Sequence, residues 1–150
     1  MAQQARKKPF EGLRVADFAW VGVGPTVSKY LADHGAEVIR IESSTYPEAL
    51  RRVGPFVNDT PNIDGSGYYA NFNSSKLCMS VNFKHPRGPE LVRRLVSKCD
   101  VVTESYTPGT MARFGFDYES LSAGRDDLLM VSMPLYGQTG PWANYMGYGH

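Results

Sequence analysis

The chain has 150 residues, which is long enough for one domain with a hydrophobic core. Hydrophobic residues make up 42% and charged residues 21%, a composition that excludes a disordered chain. The net charge of +1 gives no electrostatic reason to expect nucleic acid or an anionic membrane surface as a partner.

The cysteines and the N-terminus indicate a cytoplasmic protein. Cys78 and Cys99 form no CxxC pair and no disulfide framework, which fits a reducing compartment. Residues 1–9 are polar, contain the basic run "RKK" and are predicted to be a disordered tail without a secretory signal. No apolar run approaches the length of about 18 residues that a membrane-spanning helix needs. The histidines have no metal-like partners, so we expect no metal site.

The first elements lie in "VADFAWVGVGPTVSKYLADHGAEVIRIES", residues 15–43. An apolar run over residues 13–19 predicts a buried strand. Pro25 suits the first turn of a following helix, and His34 with Gly35 ends it. Residues 36–41 then predict a second strand.

The rest of the chain continues the alternation of strands and helices. Residues 43–67 predict a long polar loop, and the aromatic-rich segment "GYYANFNSSK" is ambiguous. The later predicted elements are strands in "LCMSVNF", "DVVTES" and "DLLMVSMP", and helices in "PELVRRLVSK", "PGTMARFGF" and "YESLSAG". This order predicts an α/β fold with an open, mainly parallel, Rossmann-like sheet and helices on both faces. Since no closing helix follows the last strand, we expect residues 10–150 to be an incomplete domain.

The glycine turn after the first strand resembles part of the dinucleotide fingerprint G-x-G-x-x-G/A. Gly22 and Gly24 match its first two positions, but Val27 stands where Gly or Ala is needed. Pro25 lacks the N–H that a pyrophosphate would use, and Glu42 alone at the next strand end is weak evidence for a ribose contact. The pattern therefore disfavours nicotinamide chemistry. It still allows a ligand to approach the turn, because ligands of parallel sheets bind beyond the carboxyl ends of strands.

Three further positions are candidates for binding such a ligand. Lys76 could pair with a phosphate or stand exposed on an edge strand. Ser105 and Tyr106 follow a strand, and the tyrosine ring could stack on a base or belong to the core. Arg113 could bind a phosphate or be a solvated helix residue. Together these positions suggest a pocket for a phosphorylated ligand that contains a base.

Five motifs in order show a more specific similarity, which runs from Phe10 to the end of the chain. They are "FEGLRVADFAWVGVGP", "LADHGAEVIRIE", "NSSKLCMSVNFKHPRG", "DVVTESYTPGTMARFGFDYESL" and "SMPLYGQTGPWANYMGYG". With these motifs the chain resembles the N-terminal part of the large domain of family III CoA-transferases. This family includes formyl-CoA and carnitine-CoA transferases, with α-methylacyl-CoA racemase as a relative.

The resemblance implies an acyl-CoA and a carboxylic acid as substrates, no permanently bound cofactor, and an interlocked homodimer in the full-length form. The resemblance also favours a phosphate contact for Lys76 over an exposed edge-strand position, and a phosphate contact for Arg113 over a solvated helix position. The positions that it assigns to coenzyme A are Val21, Gly22, Val23, Lys76, Ser105, Tyr106 and Arg113.

The chain departs from the family pattern at several places. Ser105 replaces an asparagine, Ser43 and Ser44 stand where many members carry a basic residue, and "GYG" replaces "GYD" near the end. His150 lies two residues later than the catalytic histidine of the racemase branch, so that role is not transferred to it.

The resemblance places the nucleophilic aspartate of the transferases some tens of residues beyond His150. Asp126 and Asp127 precede the wrong motif for that role. We therefore expect no catalytic residue here, and an incomplete coenzyme A-binding domain that lacks the family's small domain and C-terminal part. Two alternatives remain open: an acyl-CoA racemase or isomerase of the same fold, and a non-catalytic remnant or subunit that binds coenzyme A or a partner chain.

Overall fold

The computed structural model describes residues 7–147. This part of the chain forms a five-stranded, all-parallel sheet in the order β3-β2-β1-β4-β5. The strands are β1 Arg14–Asp17, β2 Glu37–Glu42, β3 Leu77–Ser80, β4 Val101–Glu104 and β5 Leu129–Ser132. The helices are α1 Val23–Asp33, α2 Gly67–Asn73, α3 Gly88–Val96, α4 Thr110–Phe114 and α5 Tyr118–Leu121.

Helices cover both faces of the sheet, because successive strand residues point to opposite sides. One apolar cluster joins β1, β2 and β4 to α1 through Val15, Val38, Val101 and Ala32. The other joins the opposite face to α3, α4 and α5, and includes Ala16, Ile41, Val102, Val92, Met111 and Leu121. The predicted α/β fold with a parallel sheet is confirmed.

The segment that the sequence left ambiguous is helical. Ser66 caps α2 by accepting a hydrogen bond from the Tyr69 N–H at 3.1 Å. Such a cap stabilises a short aromatic-rich helix whose sequence lacks a clear period. The predicted loop at 43–67 contains two short 3₁₀ turns, at Ala49–Arg52 and Val57–Asp59. A loop prediction misses these turns because they are only one turn long.

The chain changes direction across the sheet at β1. This strand pairs with β2 on one side, with Val15 opposite Val38, and with β4 on the other, with Val15 opposite Val101. The connections from these strands leave in opposite directions, an arrangement that in parallel sheets leaves a crevice beyond the carboxyl ends of the two strands, here β1 and β4. Open parallel sheets bind ligands at such switch points.

The structure also bears on two other predictions from the sequence. None of the helices between residues 7 and 147 combines the length and hydrophobicity that crossing a bilayer requires. Residues 1–6 of the predicted tail, and His150, lie outside the described residues.

Candidate functional site

The crevice is lined by the segment that follows β1, residues 19–23, which we call the β1 turn. Ser105, just after β4, holds this turn through both backbone polar groups of Trp20. Its hydroxyl oxygen accepts from the Trp20 N–H at 2.9 Å and donates to the Trp20 carbonyl at 2.8 Å. The predicted positions 105 and 21–23 are therefore brought together, and Ser105 serves here as a bridge between two strand ends.

Two buried side chains hold the β1 turn on either side of Trp20. Arg40 of β2 donates to the Ala19 carbonyl at 2.7 Å. Glu48, from the long loop, accepts from the Val21 N–H at 2.7 Å. The conformation of the β1 turn is thus fixed by side chains from other parts of the chain.

Val21 has a backbone conformation that is rare for its type. Its φ is 52°, in the left-handed region, where a β-branched residue is an outlier. Holding a residue there costs about 1–3 kcal/mol, so such conformations persist only where surrounding contacts enforce them. Outliers of this kind concentrate at binding sites.

The two glycines next to Val21 have different roles. A Cβ atom on Gly24 would lie 2.5 Å from the Ala19 Cβ and 3.0 Å from the Ser105 Cβ, so Gly24 allows α1 to pack against the strand ends. A Cβ atom on Gly22 would meet no atom within 4 Å. Val23 is 62% exposed at the start of α1. The β1 turn therefore has free space at Gly22 and an exposed side chain at Val23, whereas Gly24 is needed for packing. Contact of residues 21–23 with coenzyme A stays a prediction.

The Lys76 side chain is completely buried behind the start of α1. The expectation of an exposed edge-strand lysine, which was the alternative to a phosphate contact, is therefore wrong. Its ammonium, which has three N–H donors, lies within hydrogen-bond distance of four oxygen atoms: Asp17 Oδ2 at 3.0 Å, the Pro25 carbonyl at 2.9 Å, Ser28 Oγ at 2.8 Å and Asn73 Oδ1 at 2.9 Å. Burial lowers the pKa of this ammonium, and the Asp17 carboxylate offsets part of the effect. Contact of Lys76 with coenzyme A stays a prediction.

Aromatic rings extend from the crevice into the core. Tyr106 is partly buried, with its ring centroid 6.0 Å from that of Trp20 and 6.4 Å from that of Phe114. Burial raises the pKa of the Tyr106 hydroxyl. On its other side Trp20 stacks on Tyr46 at 5.8 Å, and Tyr46 is 70% exposed. Tyr106 thus packs against the core and also belongs to an aromatic surface beside the β1 turn.

Arg113 belongs to α4, the helix that follows Ser105 and Tyr106 in the chain. Its guanidinium is exposed on α4 and donates to Thr110 Oγ1 at 2.7 Å. The phosphate contact of Arg113, which the resemblance favours, therefore stays a prediction.

The sequence analysis missed a buried group of charges beneath the β1 turn. Three carboxylates meet three cations there: Asp17, Glu42 and Glu48 with Arg40, Arg51 and Lys76. One signal was available, since Arg40 interrupts "AEVIRIE", a strand that otherwise reads as buried. The partners of Arg40 are distant in sequence and could not be assigned from spacing.

Glu42 belongs to this group, and its carboxylate is engaged by neighbouring side chains. Both of its oxygens accept from Arg51, at 2.7 and 3.0 Å, and Tyr69 also donates to it. Burial alone would raise the pKa of Glu42, but these hydrogen bonds outweigh burial and hold the pKa below its usual value of 4.5. A ribose contact for Glu42 has no support here.

The side chains of Arg40 and Glu48, which pair within this group, are both completely buried. Burial raises the pKa of the Glu48 carboxyl, against the opposing effect of Arg40. Burial also disfavours the charged guanidinium, but the carboxylates of Glu48 and Asp17 outweigh it and raise the pKa of Arg40.

Two depressions on the described surface differ in position. A depression of about 380 Å³ lies at the amino ends of the strands, where its lining residues Arg14 and Glu37 already pair at 3.2 Å. Another, of about 300 Å³, lies at the carboxyl ends of β4 and β5 and is lined by Glu104 and Gln138 among others. We place the site at the carboxyl ends, because that is where parallel sheets bind ligands.

Comparison with known proteins identifies the family of the chain. The sequence profile described as CoA-transferase family III matches residues 10–150. The chain belongs to CoA-transferase family III. It is 40% identical over 148 residues to a succinate–glutarate CoA-transferase of Agrobacterium fabrum, covering 97% of this chain and 37% of that protein. It is 34% identical over 141 residues to a formyl-CoA:oxalate CoA-transferase of a Bradyrhizobium species, covering 94% of this chain and 32% of the relative.

A solved structure of the family shares the fold. The crystal structure of a CAIB/BAIF family protein from Brucella suis superposes with a TM-score of 0.84 at 36% identity, over 95% of this chain and 38% of that one. The chain therefore spans about a third of the length of the curated relatives it matches. The resemblance stated from the motifs is confirmed.

Proposed function

We propose that this chain is the N-terminal, coenzyme A-binding portion of a CoA-transferase, which moves coenzyme A between an acyl-CoA and a carboxylic acid. The observation that carries the proposal is the open β1 turn at the switch point of the sheet, in a chain of this family. The curated relatives named above are transferases, which favours transfer over racemisation.

In this proposal the nucleotide end of coenzyme A lies on Val21, Gly22 and Val23. Gly22 leaves room for close approach of a flat ring or a phosphate, because nothing stands within 4 Å of its missing side chain. The first amides of α1 have no partner within the helix and suit a phosphate oxygen. Tyr106, with its neighbour Trp20, provides an aromatic surface for the adenine base.

Two cations complete the proposed phosphate contacts. Arg113 is exposed, and among residues 7–147 its guanidinium is bonded to Thr110 alone, which leaves further donors for a phosphate. Lys76 would have to exchange one of its four oxygen partners for a phosphate oxygen. Ser105 contributes mainly by holding Trp20, because its hydroxyl is engaged with both backbone groups of that residue.

The chemical step in this proposal uses a carboxylate nucleophile from outside the 150 residues. That carboxylate attacks the thioester carbonyl, which releases the CoA thiolate and leaves a mixed anhydride. The thiolate then attacks the enzyme carbonyl of the anhydride, which forms an enzyme-bound CoA thioester and releases the donor acyl group as a free carboxylate. The carboxylate of the acid substrate attacks this thioester, which releases the CoA thiolate again and leaves a second mixed anhydride. The thiolate attacks the substrate carbonyl of that anhydride, which gives the new acyl-CoA and regenerates the enzyme carboxylate. This proposal includes a cytoplasmic location and, for the full-length form, a homodimer.

Calorimetric titration of the purified chain with coenzyme A tests the binding part. We expect saturable binding of coenzyme A and none of NAD, which shares the adenosine pyrophosphate but lacks the ribose 3′-phosphate and the pantetheine arm. Binding of NAD without coenzyme A would contradict the proposal. A parallel assay with an acyl-CoA and a free carboxylic acid should give no new thioester, and transfer by the chain without a second polypeptide would show that the nucleophile lies within it.

A further inference from the structure

Glu48 connects two parts of the molecule that are distant in sequence. Its side chain is completely buried, and its two oxygens have separate partners. Oε1 accepts from the Val21 N–H at 2.7 Å, and Oε2 pairs with the Arg40 guanidinium. One carboxylate thus ties the β1 turn to the neighbouring strand β2.

Arg40 completes the contact from the other side. Its Nη1 donates to the Ala19 carbonyl at 2.7 Å and lies 3.5 Å from Asp17 Oδ2. The pair therefore holds the backbone of the β1 turn at a carbonyl before Trp20 and at an N–H after it.

A buried ion pair is by itself weak evidence for stability, because desolvation offsets much of the attraction between the charges. Apolar side chains of similar volume would fill the same space. They could not bond to the Ala19 carbonyl and the Val21 N–H. What only Arg40 and Glu48 supply is thus a fixed backbone at the β1 turn.

The conformation of Val21 shows why such fixing is needed. With φ at 52°, this β-branched residue has a backbone that its own side chain disfavours. The Glu48 carboxylate accepts its N–H in that conformation, and without the carboxylate a valine would return to extended backbone. The amides of residues 22 and 23 would then move with it.

We propose that Glu48, supported by Arg40, is a positioning residue that holds the β1 turn in the conformation that accepts coenzyme A. Glu48 touches no part of the ligand in this proposal and acts through Val21. The inference rests on the proposed function, since it takes the β1 turn as the binding site.

The first test compares the affinity for coenzyme A of two glutamine variants of the chain. Glu48→Gln leaves one oxygen for two donors, so a contact to Val21 or to Arg40 is lost. We expect its Kd for coenzyme A to rise roughly tenfold, because a smaller fraction of molecules holds the binding conformation. Glu37→Gln is the control, because it makes the same chemical change at the opposite end of β2, where Glu37 pairs with Arg14 at 3.2 Å. Its Kd should stay within about twofold of the original.

The second test uses Val21→Gly, since glycine adopts a positive φ without the cost that valine pays. The effect of Glu48→Gln on the Kd should shrink to about threefold or less when both substitutions are combined. A residue that only stabilises the fold would not be compensated by a change at position 21.

A third measurement needs no variant and no ligand. Amide hydrogen exchange in the original chain should show protection of the Val21 N–H, although Val21 lies outside every helix and strand. The inference is overturned if the Val21 amide exchanges freely, or if both glutamine variants weaken coenzyme A binding equally. It is likewise overturned if Glu48→Gln leaves the Kd unchanged. If the original chain binds no coenzyme A, the proposed function fails, and protection at Val21 would then support only the structural role of Glu48.

Discussion

The Lys76 ammonium lies 3.0 Å from the Asp17 carboxylate, and neither side chain is exposed to solvent. Lys76 stands at the entrance to β3, and Asp17 ends β1, two strands away in the sheet. The same ammonium donates to the Pro25 carbonyl in the first turn of α1. Lys76 therefore fastens α1 over the carboxyl ends of the strands, directly behind the proposed binding turn.

Lys76→Met tests this structural role. Removing the ammonium leaves the buried Asp17 carboxylate with less compensation, and breaking a buried ion pair costs about 3–5 kcal/mol. We expect a loss of about 3 kcal/mol in the free energy of unfolding, measured by urea denaturation. Lys29→Met is the control, because Lys29 pairs with Asp33 on the partly exposed surface of α1. It should change stability by less than about 1 kcal/mol, and equal losses in the two variants would refute the structural role.

Gly24→Ala tests the close approach of α1 to the strand ends. The new Cβ would lie 2.5 Å from the Ala19 Cβ, so the helix or the strand end must shift. We expect a loss of about 1–3 kcal/mol in unfolding free energy, as in other overpacked sites. Gly22→Ala introduces the same methyl group where no atom lies within 4 Å, and it should unfold at a higher urea concentration than Gly24→Ala. If Gly22→Ala unfolded at a lower urea concentration than Gly24→Ala, the close packing at Gly24 would not be important for stability.

The stability of the fold should depend on Glu42 in acid. The pKa of Glu42 is lowered in the folded chain, so its contribution is complete above its unfolded pKa of about 4.5 and disappears as the pH falls through the folded value. At neutral pH, Glu42→Gln should lower the unfolding free energy by about 1–3 kcal/mol, because two hydrogen bonds from Arg51 lose their charged acceptor. Denaturation at a series of pH values should show this difference shrinking below about pH 4.5. If the stability difference between the original chain and Glu42→Gln grew in acid, the pKa of Glu42 could not be lowered in the folded chain.

The sequence predicted the sheet and most helices because their signals are local. The apolar run at residues 13–19 and the glycine after His34 mark strand and helix ends without knowledge of the fold. The five motifs then pointed to coenzyme A before any geometry was known. Residues 21–23 of the β1 turn lie just beyond the carboxyl end of a strand, as the sequence predicted.

The buried charges could not be predicted in the same way, because they depend on contacts between distant residues. Arg40 and Lys76 are 36 positions apart in the chain and yet meet the same Asp17 carboxylate. Glu48 reaches Val21 across 27 positions, from a segment that the sequence describes only as a loop. The burial of Lys76, which rules out the alternative of an exposed edge-strand lysine, was not predictable for the same reason, since a lysine at a strand start is usually exposed unless a carboxylate is brought to it.

The central claim is that coenzyme A binds at the β1 turn on the carboxyl edge of the sheet. Nitrogen–proton correlation spectra of the isotope-labelled chain, recorded during a titration with coenzyme A, test it most directly. We expect the largest chemical-shift changes at the amides of Val21, Gly22 and Val23, and smaller changes at Ser105 and Tyr106. Shifts concentrated at the opposite edge of the sheet, at Gly12, Gly35 and Lys98, would contradict it, as would spectra that coenzyme A leaves unchanged.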